Sequence, residues 1–291
     1  MNRGYRFTVA ISSYNIEKYI NRSIESVLDQ KFTDYELIIV DDCSSDNTVE
    51  KINQLKNDKI RVFKTEANSG TAGCARNIAI DNAKGEYLIF LDGDDTLYDN
   101  ETLKKIDEVI GTEKPDIVYL GYEDVGQGNK SRISTEENST KKARLICDLT
   151  FSVSSRCWRT EFLVKNNLKF VEGMYYEDEI YSLKGTILAN QTKCADLKIF
   201  KYFRNREGSV MTLPTIKKCS DWYRMLAEVT DLYQITPDEY KPYLLSFIKN
   251  ENESIPKRIG VILKALENGG GTQVLPKRNY KYIDFFEDAD N

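Results

Sequence analysis

Two spacings of apolar residues take turns along this chain. Residues 7–12 form a short apolar run that enters the polar loop Ser13, Tyr14, Asn15, and the run reads as a strand. Ile20, Ile24, Val27 and Leu28 then recur at helical spacing. Residues 35–40 give a second strand ending in Asp41 and Asp42, and Asp46 is placed to cap a helix running to about Lys56. A third strand over 59–63, a helix over 70–82 and a fourth strand over 86–91 follow. Asp99 or Asn100 caps a further helix, and 116–120 is a fifth strand. Strands joined by helices predict an α/β fold with a mostly parallel mixed sheet covered by helices.

The alternation then loosens. Residues 126–140 are polar and read as a hairpin or mobile loop; 151–158 and 198–203 read as strands, and 160–166 as a short helix. Ile180, Leu183 and Ile187 mark a helix over 177–188. Beyond Pro214 the pattern is helical through Asn268, with Pro237, Pro242 and Pro256 as punctuation and three glycines, 269–271, ending the last helix. The expected division is a domain over 1–212, its halves meeting near residue 122, and a helical C-terminal appendage over 213–291.

Composition narrows the chemistry. A net charge of −5 supplies no basic footprint for nucleic acid. The absence of histidine removes the commonest general base and transition-metal ligand, so proton transfer falls to Asp, Glu, Lys, Tyr or Cys. Six scattered cysteines lack the close spacing of a zinc site and read as reduced thiols. With no secretory leader pattern at the start and no run of membrane-spanning length, the expectation is a soluble cytoplasmic protein, with peripheral contact at the inner face of the plasma membrane left open.

The sharpest feature lies at 87–98, where an apolar strand ends in Asp92, Gly93, Asp94 and Asp95. Carboxylates so close repel unless a cation sits among them. A magnesium or manganese ion carrying a diphosphate suits these hard oxygen donors, while a loop or helix cap is the plainer alternative. Gly93 would let the backbone approach a ligand. In parallel sheets, ligands bind beyond the carboxyl ends of the strands. Three polar clusters mark those ends here: Ser13 to Asn15, Asp41 with Asp42, and Asp92 to Asp95.

Ser12 to Asn15, Val40 to Asp42 with Ser44 to Thr48, Asn68 to Gly70, Ala75 to Asn77 and Leu91 to Asp95 occur in that order. Together they resemble the family 2 inverting glycosyltransferases, which have the GT-A nucleotide-diphosphosugar transferase fold. The resemblance is close over about the first hundred residues and looser to about Thr212. It implies that Tyr14 packs on the nucleotide base, that Ser12 contacts it, and that Asn15 and Gly70 belong to the same pocket. Asp42 can accept from a uracil N–H, or serve with Asp41 in loop capping. Arg76 can stack on a base or hold a diphosphate oxygen, with a surface salt bridge as the plainer alternative.

The second acidic cluster is Glu177, Asp178, Glu179. The resemblance makes Asp178 the general base, with Glu177 second; three acids in a first helical turn are also what a helix dipole favours. Arg206 and Ser209 would help hold the diphosphate as it departs. Trp158 is either an acceptor platform or core.

The expected activity is metal-dependent, inverting transfer of a sugar from a nucleotide sugar, UDP-linked, to a hydroxyl of a glycan or lipid-linked acceptor. Asp94, Asp95 and Asp92 are the expected metal ligands. Two alternatives stand beside it: a nucleotidyltransferase that makes the sugar nucleotide, for which residues 12–17 lack a glycine-rich basic loop, and a non-catalytic scaffold of the same fold. A dinucleotide oxidoreductase is disfavoured, because no Gly-x-Gly-x-x-Gly follows the first strand.

Overall fold

The computed structural model describes residues 4–125, 130–132, 152–203 and 215–267. The first three stretches form one compact unit and 215–267 belong to a second.

In the first unit, β1 (Phe7–Ser13), β2 (Tyr35–Asp41), β3 (Ile60–Lys64) and β4 (Tyr87–Asp92) lie in the order β3-β2-β1-β4, all parallel. Every residue of β2 is buried, as is β4 up to Leu91, the pattern of a sheet covered on both faces. The connecting helices are α1 (Ile20–Leu28), α2 (Thr48–Gln54) and α3 (Ala72–Asn82). Ile20, Ile24 and Val27 bury one face of α1. On α3 the buried face holds Ala75, Ala79 and Ile80 but also Arg76 and Asn77, two polar side chains where the spacing calls for apolar ones.

Beyond β4 the order continues β8-β6-β9-β5. The strands are β5 (Thr96–Leu97), β6 (Ile117–Asp124), β7 (Lys130–Arg132), β8 (Arg156–Arg159) and β9 (Thr192–Tyr202). β8 runs antiparallel to both β4 and β6, so it stands between the two halves of the sheet. β6 therefore points the same way as β1 to β4, and β9 joins it in parallel. β7 pairs antiparallel with β6. The helices here are α4 (Thr102–Ile110), α5 (Thr160–Lys165) and α6 (Glu177–Leu188).

Several boundaries move from those expected. Asp46 precedes the helix cap by one residue, yet its carboxylate still accepts the Thr48 N–H at 2.9 Å and the Glu17 N–H at 3.0 Å. Asp99 accepts from Glu101 N–H at 2.9 Å, one turn ahead of α4. The strand expected over 151–158 begins only at Arg156; before it, Val153–Ser155 form a 3-10 turn, closed where the Ser155 N–H and Oγ both donate to the Ser152 carbonyl. β9 starts six residues earlier than its apolar core, because backbone pairing with β6 carries the polar stretch from Thr192. Most of the stretch read as a hairpin or loop, 126–140, lies outside the described residues, as do the glycines 269–271.

In the second unit, α7 (Ile216–Ile235) and α8 (Lys241–Glu267) pack together. Trp222, Met225, Val229 and Leu232 are buried on α7, and Leu244, Phe247 and Ile255 on α8. The Arg258 guanidinium lies 5.3 Å from the Trp222 ring and 3.8 Å from Glu251. Pro237 falls between the helices, and Pro242 sits in the first turn of α8, where a missing N–H costs nothing. Pro256 does not punctuate: α8 runs through it, forgoing only the backbone bond that residue 256 would donate to the Asn252 carbonyl, with Ile255 and Arg258 buried on either side. Among the described residues, no helix is long and apolar enough to cross a membrane.

Candidate functional site

Sheet register gathers the polar clusters. Ser12 lies opposite Val40 on one side and Asp92 on the other, and Ser13 lies opposite Asp41. The loops after β1 and β2 are sewn together. Asn15 adopts a left-handed backbone (φ 48°) and its Oδ1 accepts from the Ser45 N–H at 2.8 Å, while its own N–H donates to Ser44 Oγ at 3.0 Å. Tyr14, between them, is 45% exposed, so its ring is open to a ligand.

Asp41 and Asp42 are both buried and both well partnered. Asp41 accepts from Ser13 Oγ at 3.1 Å, Ser44 N–H at 2.9 Å and Ser44 Oγ at 2.5 Å. Asp42 accepts from Thr65 Oγ1 at 2.8 Å, Ser69 Oγ at 3.0 Å and the Ser69 N–H at 3.0 Å. Its carbonyl takes Asn68 Nδ2 at 3.1 Å. Asp42 thereby fixes the 68–70 turn, whose Gly70 is left-handed (φ 75°), at the start of α3.

The Asp92–Asp95 loop is organised differently. Gly93 donates its N–H to the Ser12 carbonyl at 3.1 Å, and a Cβ there would fall 2.9 Å from that backbone oxygen as well as 2.3 Å from Ile16 Cδ1. Glycine is thus required by packing against the chain itself. Asp92 is partly open, its carboxylate 39% exposed. Asp95 is fully buried. One oxygen accepts the Phe203 N–H at 3.0 Å, and the other has no hydrogen-bond partner among the described residues. Burial, with the charges of Asp92 and Asp94 nearby, pushes its carboxyl up to about 9.

Arg76 joins this loop to the second acidic cluster. Its Nη2 donates to Asp92 Oδ1 at 2.9 Å and its Nη1 to Glu177 Oε1 at 3.0 Å. Only 8% of Arg76 is exposed, and its guanidinium lies 5.3 Å from the Phe170 ring. Against the cost of burial, Asp92, Glu177 and Asp178 hold it charged. A surface salt bridge is therefore the wrong description of Arg76; it is a buried fork between two carboxylates.

Glu177, Asp178 and Glu179 open α6, behind Tyr176 in a left-handed conformation (φ 68°). Burial raises the Glu177 carboxyl; Arg76 opposes and Asp178 adds to the rise, leaving it at about 7. Asp178, next along the helix, is half-buried. Arg206 and Ser209 lie outside the described residues. Trp158 is fully buried, with its ring 5.0 Å from that of Tyr181, so it is core. Among the described residues, no three acidic or sulfur side chains converge in metal-ligand geometry.

Two contributors escape the sequence reading. Arg22, on α1, donates to the Asp94 carbonyl, and its guanidinium lies 3.8 Å from the Phe203 ring centroid. Asn77 accepts from the Phe170 N–H at 2.8 Å and donates to the Phe170 carbonyl at 3.0 Å, clipping the chain before α6 to α3. Asn77 stands in the 75–77 motif, but nothing in that motif assigns it this clip.

Known proteins carry the same pattern. Glycosyl transferase family 2 matches this chain over residues 8–167. The poly(ribitol-phosphate) beta-N-acetylglucosaminyltransferase TarS of Staphylococcus aureus is 29% identical over 266 residues, which make up 89% of this chain and 46% of TarS. The chain thus spans about half the length of that relative. The glycosyltransferase GlyG of Streptococcus pneumoniae is 30% identical over 226 residues, 70% of this chain and 72% of GlyG. The crystal structure of S. aureus TarS 1-349 in complex with UDP-GlcNAc superposes with a TM-score of 0.70 at 26% identity, covering 84% of this chain and 72% of that one. The likeness agrees with the GT-A fold that the resemblance of the motifs implies, and with the family match it establishes that the chain belongs to glycosyl transferase family 2.

Proposed function

We propose that this chain transfers a sugar from a UDP-linked donor to a hydroxyl group of a glycan or lipid-linked acceptor, inverting the anomeric centre. One observation carries the reading: a buried arginine ties the charge-rich loop after β4 to the acid-bearing first turn of α6. A displacement reaction needs those two elements side by side, one facing the leaving diphosphate and one facing the incoming hydroxyl. The resemblance to a UDP-GlcNAc-bound structure supports the donor class.

Tyr14 offers an open ring for the base, and Asp42, whose N–H donates to the Ser13 carbonyl at 2.8 Å, a carboxylate fixed by Ser69. Asp178 takes the proton from the acceptor hydroxyl as that oxygen bonds to the anomeric carbon; the carbon–oxygen bond to UDP breaks on the opposite side, and UDP leaves with the electron pair. The resemblance points to Asp178, and the surroundings of the two acids support that choice over Glu177. Glu177 is buried against Arg76, whereas Asp178 keeps part of its surface open to a substrate.

The donor set fits a hard divalent cation. It is all oxygen, and Asp95 retains a buried oxygen without a partner beside two further acids. Asp94 and Asp92 would hold magnesium or manganese together with diphosphate oxygens. Once bound, the ion would offset charge developing on the departing UDP.

Asp178→Asn tests the assignment. Sugar transfer, followed as UDP release, is expected to vanish while UDP affinity by calorimetry stays close to wild type. Loss of UDP binding in that variant would remove Asp178 from the role of base.

A further inference from the structure

We propose that Glu177 is a positioning residue for the donor: through Arg76 it sets how firmly Asp92 is held, and so couples the first turn of α6 to nucleotide binding. The inference rests on the donor reading above.

Arg76 is a single fork with two carboxylate partners, at 2.9 Å and 3.0 Å. A guanidinium keeps its proton at any accessible pH, so its charge must be shared rather than lost. With Arg76 almost wholly buried, little water competes for that charge. Its plane is supported as well. The Phe170 ring beneath it stacks on Tyr181 at 3.8 Å with an interplanar angle of 1°, and Asn77 holds Phe170 at its backbone. Arg76 thus has little freedom to swing after either carboxylate.

The consequence is a competition. While Glu177 carries its charge, part of the guanidinium's field is spent on it, and Asp92 stays available to a cation or to a donor hydroxyl. Neutralise Glu177, and more of the positive charge faces Asp92, with Asp178 sharing the remainder. Asp92 then becomes a worse partner for anything else. The linkage runs both ways: a donor that engages Asp92 leaves Arg76 more fully to Glu177, beside Asp178. Glu177 and Asp178 are neighbours in sequence with separate work, one addressing the donor and the other the acceptor.

Calorimetry of UDP binding with manganese present tests this on the full chain. Glu177→Gln is expected to bind UDP about 10-fold more weakly. Asp178→Asn, one residue away, is expected to stay within about twofold of wild type. The double variant Arg76→Gln with Glu177→Gln frees Asp92 again and is expected to bind more tightly than Glu177→Gln alone. A purely structural Glu177 would lower the melting temperature and leave the affinity of the folded protein untouched, which overturns the inference. A double variant weaker than the single one means that Arg76 holds the diphosphate itself, and overturns it too. Should Glu177→Gln fail to fold, Glu177→Asp is expected to shift affinity in the same direction by less, and unchanged affinity there counts against the inference equally. Wild-type protein that ignores UDP and manganese altogether overturns the donor reading and this inference together, whereas normal wild-type binding with an unchanged Glu177→Gln overturns this inference alone.

Discussion

The ends of β2 and β4 make an instructive pair. Both are parallel strands, both flank β1, and both finish in aspartates. At β2 every acid is answered: three hydroxyl or amide donors reach Asp41, and Ser69 and Thr65 close around Asp42. At β4 one acid is answered only in part. Asp92 has half of an arginine, and Asp95 keeps one buried oxygen without a partner. Buried polar groups normally find partners, and an exception needs a reason. The pair after β2 is held by its own neighbours, whereas Asp95 keeps an oxygen that the described residues leave unpartnered, the feature on which the proposed cation rests.

The contrast can be broken at four points. The largest expected effect is at the β4 end: Asp94→Ala should lower sugar transfer by about 100-fold or more and abolish the gain in UDP affinity that manganese brings. Activity that survives both this change and EDTA would remove the metal from the account. Second, Asp41→Ala should destabilise the fold by about 3 kcal/mol, seen as a lower denaturation midpoint, because buried donors lose a charged acceptor. If it instead impaired manganese-dependent binding as severely as Asp94→Ala, the two strand ends would not differ in kind.

The third point concerns pH. Asp95 is held up to about 9 in the fold, above its ordinary value of about 3.9 in an unfolded chain. Folding therefore takes up a proton within that window. The stabilising contribution is complete below the unfolded value and drains away as pH climbs toward the folded one. Asp95→Asn should flatten that decline; melting temperatures recorded in EDTA at about pH 6 and about pH 8 are expected to differ less in the variant than in wild type. The smallest effect is Ser44→Ala, about 1 kcal/mol, for one hydroxyl removed from a carboxylate that retains other donors.

How much of this the sequence revealed depended on distance along the chain. β1, β2 and β4 are short stretches rich in Val, Ile, Leu and Phe that end at polar residues, which marks them as strands. The three polar clusters followed from them, because a strand's end is as legible as the strand. β5 has two residues, too few for any period, and the serines before Arg156 fold back on Ser152, where their neighbours suggested a strand. The difference between Asp41 and Asp95 was invisible, since adjacent aspartates look alike until their surroundings arrive from elsewhere. Arg76 and Glu177 stand 101 positions apart, and Arg22 reaches Asp94 across 72. Composition and spacing carry no record of such meetings.

The antiparallel strand β8 has a consequence for how the molecule comes into being. β4 pairs with β1 on one side and with β8 on the other, so its outer edge is sealed by residues from Cys157 to Arg159. A polypeptide made from its N-terminus can complete the four-stranded parallel half long before those residues leave the ribosome. Until they do, the row of amides and carbonyls along β4 stays bare, and a bare strand in mid-sheet invites another chain to pair with it. The interval between emergence of β4 and emergence of Arg159 is therefore one in which the nascent protein presents an open strand edge.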